Sequence, residues 1–496
     1  MATTALSDWL AHRLERSGEK PLYRQLHQLL QAAILSGALP SRAKLPSSRL
    51  LSAELGIARN TVTQVFEQLM LEGYLVATSG RGTFVSEGAR EDQSAEPAGH
   101  EAPTLPSTLP NLSERGRRLY ADAVVFERQP GAFMPGVPDL ARFPTRTWNR
   151  LQKKHWQRSP EKVLNYAPPG GHAQLRSAIS DYLHSARSVR CSPSQVIVTT
   201  SNHQSIDLAI QLLTDAGDLM WIEDPSYWGT RNVLQASGLA LKAIHVDDDG
   251  IAPSKSDMAT PPKLILVTPT HHYPLGMEMS IHRRKMLLGY ADEHNCWIIE
   301  DDCNSEFKYG TKPLPSLQGM DGTGKVLYIG SFSSSLFPGV RIGYIVVPTE
   351  LAQSFAIAST DLDREGQELH QAVLADFLDE GYFTSHVRRM RVLYKWRREL
   401  LILAINERYG NQLRIAGGDV GLHLTLLLPS YVDDKRLVSA AHSAGILMRP
   451  LSSYFMGREE SASGVLLGYA CVSDTAIRPA FNTFADILDR FLVKAY

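Results

Sequence analysis

Apolar residues recur at helical spacing along the first part of the chain. One stripe begins at Leu22 and a shorter one occupies Ser47–Leu55, and a glycine closes each of them. A third stripe follows the i, i+3, i+4, i+7, i+8 pattern: Val62, Val65, Phe66, Leu69 and Met70. Two extended pieces, Tyr74–Ala77 and Thr83–Ser86, then flank a glycine-rich turn. Three amphipathic helices followed by a hairpin predict a winged helix-turn-helix within residues 1–86.

The pattern changes after this first segment. Between residues 87 and 112, Ala, Pro, Glu, Ser and His dominate without periodicity, which predicts a flexible linker. Apolar segments beyond it predict buried strands: Val196–Thr200, Leu219–Asp224, Leu241–Val246, Leu264–Pro269, Cys296–Asp301, Val326–Phe332 and Ile342–Val347. Amphipathic stretches such as Gln204–Ala216 and His282–His294 separate several of these strands. The alternation predicts a mostly parallel α/β sheet in residues 113–496, with a smaller α+β subdomain from about Leu413.

Composition narrows the class of protein without deciding it. The 496 residues carry a net charge of −1, so a nucleic-acid-binding surface has to be local. Residues 1–86 hold nine Lys and Arg against six Asp and Glu, a modest local excess of positive charge. Four scattered cysteines suit neither a disulfide framework nor a metal site. Without a signal pattern or an apolar run of about 20 residues, we expect a cytoplasmic protein with no membrane partner.

The third amphipathic stripe has the properties of a DNA recognition helix. Its apolar side faces the predicted core and leaves Arg59, Asn60 and Gln64 on the outside. Arginine suits bidentate contact with guanine, whereas asparagine and glutamine suit adenine. The segments Leu45–Leu51 and Gly56–Val62 resemble the GntR family of bacterial regulators. That resemblance implies a set of DNA-facing residues: Arg49, Arg59, Asn60, Thr61 and Thr63, with Gly80 and Arg81 on the wing.

Residues Gly330–Tyr344 contain a second motif. They resemble the cofactor loop of fold-type-I pyridoxal 5′-phosphate enzymes, in which Ser-x-Ser-Lys is followed by an arginine. Ser331, Ser333 and Arg341 fall in register with the phosphate ligands of that family, but Ser334 occupies the lysine position. A hydroxyl cannot replace the amine that attaches the cofactor aldehyde covalently. We therefore expect no catalytic residue here and, at most, non-covalent binding of pyridoxal 5′-phosphate.

Residues 119–496 resemble class I aminotransferases, and this likeness implies further cofactor contacts. Asp301 matches the partner of the pyridine nitrogen, and Tyr227 matches the aromatic residue that stacks on the ring. Cys303 stands where a tyrosine would contact the phenolic oxygen, and a thiol is a weaker donor. Tyr166 resembles a residue that contacts phosphate across a dimer interface. The strand Val465–Ala470 carries no arginine for a substrate carboxylate, and Arg449 is the nearest alternative.

With both halves taken together, the chain resembles the MocR subfamily, in which a GntR-type reader precedes an aminotransferase-like domain. The leading hypothesis is a sequence-specific bacterial transcription regulator that binds a double-stranded DNA operator as a homodimer. Its second domain would sense pyridoxal 5′-phosphate, an adduct of it or another small effector, without transaminase turnover. Two alternatives stay open: a pyridoxal phosphate-dependent aminotransferase with an appended DNA-binding domain, and a ligand-free structural dimerisation domain.

Overall fold

A computed structural model describes residues 2–16, 20–78, 81–86, 112–113, 115–117, 131–158, 161, 164–310, 314–363, 368–457 and 462–493. The chain divides into two compact units, Met1–Thr108 and Leu109–Tyr496. The predicted linker, residues 87–112, lies outside the described residues except for Leu112. Among the described helices, none is both long and apolar enough to cross a membrane.

The first unit is a helical bundle with a two-stranded wing. Its elements are α1 (Ala2–Ala11), α2 (Leu22–Leu35), α3 (Ser48–Leu55), α4 (Arg59–Leu71), β1 (Leu75–Thr78) and β2 (Gly82–Val85). Helix α3 begins where the Ser47 hydroxyl accepts the Leu50 N–H at 3.2 Å, and Gly56 ends it in the left-handed region. Strands β1 and β2 pair antiparallel, with Leu75 opposite Val85. The winged helix-turn-helix prediction is confirmed, although helix α1 was not predicted.

The second unit contains an eight-stranded sheet. Its strands are β3 (Val196–Thr199), β4 (Leu219–Asp224), β5 (Ala240–Asp247), β6 (Gly250–Ile251), β7 (Leu264–Val267), β8 (Trp297–Asp301), β9 (Val326–Ser331) and β10 (Gly343–Val346). Their spatial order is β3-β10-β9-β8-β7-β4-β5-β6. Strands β5, β4, β7, β8 and β9 run parallel, whereas β10 is antiparallel to both of its neighbours. The predicted mostly parallel α/β sheet is confirmed, with strand ends differing by one or two residues.

Helices cover both faces of this sheet. They are α5 (Thr145–Arg158), α6 (Ala173–Arg187), α7 (Asn202–Leu213), α8 (Trp228–Ser237), α9 (Lys255–Met258), α10 (Ile281–His294), α11 (Leu317–Met320), α12 (Ala352–Asp363) and α13 (Glu368–Asp379). Trp221, Ile265 and Ile298 pack into one apolar cluster, while Ile222 and Ile299 pack into another. Strands buried on both faces explain why these segments are continuously apolar in the sequence.

A second, smaller sheet follows the long helix α14 (Tyr382–Tyr409). It is formed by β11 (Arg414–Ala416), β12 (His423–Leu427), β13 (Arg449–Pro450) and β14 (Gly464–Gly468), in the order β11-β12-β14-β13. Helices α15 (Asp434–Ser443) and α16 (Asp474–Leu492) accompany it. The α+β subdomain is therefore present, and the short strands β11 and β13 are additions to the predicted pair.

Candidate functional site

The first unit exposes the N-terminal end of α4. Val62, Val65, Phe66 and Leu69 bury the inner side of this helix in the core of the unit, as the apolar stripe predicts. Arg59 and Asn60 are exposed in its first turn, and Thr61 and Thr63 beside them are half-buried. Arg49 is exposed in the first turn of α3, which packs against α4. Two short helices therefore present polar residues of the types that contact DNA.

The wing carries the remaining predicted DNA contacts. Arg81 is exposed just before β2, and its backbone N–H donates to the Thr78 carbonyl at 3.0 Å. This hydrogen bond joins the end of β1 to the start of β2, where Arg81 is exposed on the wing. Gly80, the other predicted wing residue, lies outside the described residues.

The second unit has a cavity of about 340 Å³ at the carboxyl ends of its parallel strands. Asp224, Asp301 and Ser331 close β4, β8 and β9, and the carboxyl ends of parallel strands meet at one edge of a sheet. Five of the residues that the resemblance assigned to the cofactor line this cavity: Tyr227, Asp301, Ser331, Ser333 and Arg341. Tyr166 is not among the described residues that line it. Ser334 also lines it.

Asp301 is the acidic group at the end of β8. Burial, and then the neighbouring Asp302, raise the pKa of its carboxyl to about 7, although the hydrogen bond from Asn202 opposes the shift. The Asn202 amide donates to Asp301 Oδ1 at 2.7 Å. Asn202 is the first residue of α7, so a helix N-terminus and a carboxyl group share one wall of the cavity. A carboxyl group in this setting can pair with a protonated ring nitrogen.

The lining of the cavity also includes hydroxyl groups and an arginine, which are groups that can bind an anion. Ser333 donates its backbone N–H to Ser331 Oγ at 3.2 Å, and the two hydroxyls lie 3.1 Å apart. Ser201 caps α7 and lines the cavity. In the described part of the chain, the exposed Arg341 makes neither an ion pair nor a side-chain hydrogen bond. Helix N-termini, hydroxyls and a guanidinium are the usual phosphate ligands of proteins.

An aromatic wall closes another side. Tyr227 stacks on His203 with ring centroids 5.9 Å apart and meets the Tyr273 ring edge-on at 5.6 Å. A Cβ atom at Gly229 would lie 2.6 Å from the Tyr227 ring, so the glycine permits this ring position. The wall can accept a flat aromatic ligand.

Two positions in the cavity lack groups that a covalently attached cofactor needs. Ser334 offers a hydroxyl in place of an amine. Burial, and then Asp301, raise the pKa of the Cys303 thiol well above its ordinary value, so the thiol stays protonated and is a weak donor. The residues present therefore fit the ring nitrogen and the phosphate of pyridoxal 5′-phosphate, but they do not fit covalent attachment of its aldehyde.

Glu223 also lines the cavity, although no sequence motif pointed to it. Thr268 donates its backbone N–H at 3.0 Å and its hydroxyl at 2.6 Å to Glu223 Oε2. Burial nevertheless raises the pKa of Glu223 to about 7. The sequence did contain a signal for Glu223 as a site residue, namely a carboxylate near the end of an otherwise apolar strand.

The arginine that lines the cavity in addition to Arg341 is not the one considered from the sequence. Arg231, which was not predicted, lines the cavity and donates to the Phe455 carbonyl at 3.0 Å. Arg449, the alternative considered above for binding a carboxylate, is buried on β13, and its Nη2 lies 3.5 Å from Met134 Sδ. Arg449 is not among the described residues that line the cavity. Arg449 nevertheless interacts electrostatically with Tyr273 and Tyr227, which do line the cavity.

Comparison with known proteins assigns each unit to a family. Residues 22–85 match the bacterial regulatory proteins of the gntR family, and residues 138–475 match aminotransferase class I and II. The fold is similar to that of the kynurenine aminotransferase of Pyrococcus horikoshii, with a TM-score of 0.68 and 23% identity. That similarity covers 77% of this chain and 96% of the aminotransferase, and it concerns the fold alone.

The sequence similarity to known regulators extends over nearly the whole chain. The probable rhizopine catabolism regulatory protein MocR of Rhizobium meliloti is 37% identical over 474 residues, which cover 95% of this chain and 94% of the relative. The pyridoxine biosynthesis transcriptional regulator PdxR of Corynebacterium glutamicum is 30% identical, with 93% of this chain and 95% of the relative covered.

The two units define a DNA-binding transcription regulator that carries an aminotransferase-like domain. The regulator relatives align with both units along almost their entire length. The chain belongs to the MocR subfamily of GntR-type regulators.

Proposed function

We propose that this regulator binds a specific double-stranded operator and that its aminotransferase-like unit senses a small ligand without turnover. The ligand is pyridoxal 5′-phosphate, a related phosphorylated pyridine, or another molecule that fits the same groups. One observation carries the proposal: Asp301, Ser331 and Arg341 line one cavity, while Ser334 stands among them without an amine. The cavity thus retains binding groups and lacks the nucleophile for aldehyde chemistry.

The DNA-binding part of the proposal is assigned to α3, α4 and the wing. Arg59 and Asn60 supply base contacts at the start of α4, and Thr61 and Thr63 lie beside them. Arg49 contacts the DNA from α3, and Arg81, with Gly80, contacts it from the wing. The exposure of Arg49, Arg59, Asn60 and Arg81 supports these roles.

A homodimer is the proposed functional form. Leu164 and Tyr166 are each 70% exposed in the single chain, which is unusual for two large apolar side chains so close together in the sequence. Tyr166 resembles a residue that contacts phosphate across a dimer interface. A two-fold dimer would present two DNA-binding units to two half-sites of an operator. The ligand would regulate by favouring one arrangement of these units, because equal affinity for both arrangements shifts nothing.

The ligand part is tested by titrating the full-length protein with pyridoxal 5′-phosphate, with and without borohydride reduction. We expect saturable binding in the absorption spectrum and no covalent adduct in the mass spectrum after reduction. An adduct trapped on the native chain would overturn the proposal of non-covalent sensing. Adding the bound ligand to a DNA-binding assay then shows whether occupancy changes operator affinity.

The DNA part is tested with an operator selected by the native protein from random-sequence DNA. Arg59→Ala should cost about 1–3 kcal/mol of discrimination between the selected sequence and a scrambled one. Arg24→Ala is the matched control, because it removes the same charge from an exposed position on helix α2 of the same unit. Loss of affinity without loss of discrimination in Arg59→Ala would assign Arg59 to the phosphate backbone instead of a base.

A further inference from the structure

The ligand cavity contains carbonyl and carboxylate oxygens that lack donors. Glu223 is 4% exposed, and in the described part of the chain its Oε1 atom has no hydrogen-bond partner. The same holds for the side-chain carbonyl of Asn304, also 4% exposed, and for that of Asn202. The orientation of Asn202 is fixed, because its amide nitrogen donates to Asp301. Three buried acceptors without donors around one cavity are unusual, since buried polar groups are normally paired.

Among the described residues, no side chain that lines the cavity hydrogen-bonds these three oxygens. Within the described residues, no lysine lines the cavity. Ser334 and Cys303 contribute only a hydroxyl and a protonated thiol. Of the lining arginines, Arg231 donates to the Phe455 carbonyl, and Arg341 is the phosphate ligand of the proposed function. His272 Nε2 lies 3.9 Å from Glu223 Oε2, beyond hydrogen-bond distance. A ligand or a water molecule in the cavity can therefore supply the missing donors.

We propose that the cavity selects the aminated form of a phosphorylated pyridine, pyridoxamine 5′-phosphate, and binds it non-covalently in preference to the aldehyde or alcohol form. This inference rests on the proposed function and names the ligand of the same site. A primary ammonium brings three donors, whereas an aldehyde brings a further acceptor. Glu223 and Asn304 are assigned as the residues that distinguish the amine.

The charge of the cavity favours the same form. Glu223 and Asp301 both line the cavity, and burial raises the pKa of each carboxyl to about 7. A cation placed beside them stabilises their ionised forms, whereas a neutral alcohol does not. The ligand thus carries the amine that the chain lacks at Ser334.

Calorimetric titration of the native full-length protein with three ligands tests this inference. Pyridoxamine, pyridoxal and pyridoxine 5′-phosphate share the ring and the phosphate and differ in one substituent. We expect the amine form to bind at least about tenfold more tightly than the alcohol form, the size expected for a charge-assisted hydrogen bond. Equal affinities for the amine and alcohol forms, or a preference for the aldehyde, would overturn the inference while leaving phosphopyridine sensing intact. Binding of none of the three would overturn both.

Two substitutions should shift the preference in opposite directions. Glu223→Gln keeps the shape but removes a charge, so the amine-to-alcohol ratio should fall below about threefold. Asn304→Asp adds a charge at a position whose backbone φ of 64° aspartate tolerates, so the ratio should rise. Glu300→Gln neutralises another buried carboxyl that does not line the cavity, and it should leave the ratio unchanged. An unchanged ratio in both Glu223→Gln and Asn304→Asp would overturn the assignment of these residues.

Ser334→Lys supplies the amine from the chain. In this variant, the preference should reverse toward pyridoxal 5′-phosphate, and borohydride should trap a covalent adduct that the native protein does not form. A Ser334→Lys protein that still prefers the amine form would contradict the view that the missing lysine creates the preference. If this variant does not fold, the ranking of the three ligands on the native protein decides the question.

Discussion

The buried imidazole of His272 should make the aminotransferase-like unit sensitive to acid. His272 is 1% exposed, and its Nε2 lies 3.9 Å from Glu223 Oε2. Burial lowers the pKa of His272 to about 3. Because the pKa of Glu223 is itself raised to about 7, this neighbour is largely protonated at pH 5 and offers little negative charge to an imidazolium. We expect His272→Gln to remove part of the acid sensitivity.

The size of the stability loss in acid follows from the linkage between protonation and folding. The folded pKa lies below the unfolded value of about 6.5, so the unfolded chain binds the additional proton and stability is lost as the pH falls below that value. At pH 5, about 1.5 pH units below the unfolded pKa, His272 costs about 2 kcal/mol of folding free energy relative to pH 8. The loss of free energy between pH 8 and pH 5 should therefore be smaller by about this amount in His272→Gln.

Urea unfolding at the two pH values measures this difference. Tryptophan fluorescence reports mainly on the second unit, because every tryptophan except Trp9 lies beyond residue 109. His184→Gln is the control, since it removes an exposed imidazole from the same unit. If His272→Gln and the native protein lose equal stability between pH 8 and pH 5, His272 is not held neutral in the folded chain and the reasoning is refuted.

Three further outcomes are expected. Ser47→Ala removes the cap that accepts the Leu50 N–H. A loss of about 1 kcal/mol is expected, so the amides of α3 should exchange about fivefold faster with deuterium. Unchanged exchange would show that the cap does not stabilise this helix. Gly229→Ala should displace the Tyr227 ring and weaken pyridoxamine 5′-phosphate binding about two- to tenfold by calorimetry, and full affinity would show that the ring is not part of the site. Arg341→Met should weaken that ligand by roughly ten- to a hundredfold but hardly affect unphosphorylated pyridoxamine, and an equal loss for both would place Arg341 away from the phosphate.

Local sequence patterns were sufficient to predict most of the fold. Strands β3 and β7 are buried along their whole length, so each appears in the sequence as a short apolar segment. The buried side of helix α4 was likewise predictable, because its apolar residues recur at helical spacing: Val62, Val65, Phe66 and Leu69. The strand β13 has only two residues, Arg449 and Pro450, and its pairing with β14 depends on tertiary contacts that no local pattern reports.

The candidate site was predictable where a motif fixed the residues. Tyr227, Asp301 and Arg341 come from different segments, and the structure brings them to one cavity. Glu223 was missed because its partner, Thr268, lies 45 residues away, just beyond the neighbouring strand. The Asn202–Asp301 hydrogen bond likewise joins residues 99 positions apart. Such pairings follow from the order of strands in the sheet and not from the spacing of residues along the chain.

The hydroxyl at Ser334 has a consequence for the timing of a signal. A ligand held by hydrogen bonds and ion pairs leaves the cavity without the cleavage of any covalent bond. Occupancy then follows the free concentration of the ligand, and the response resets at the dissociation rate. For the proposed ligand, residue 334 would therefore set how quickly the ligand dissociates as well as which ligand binds.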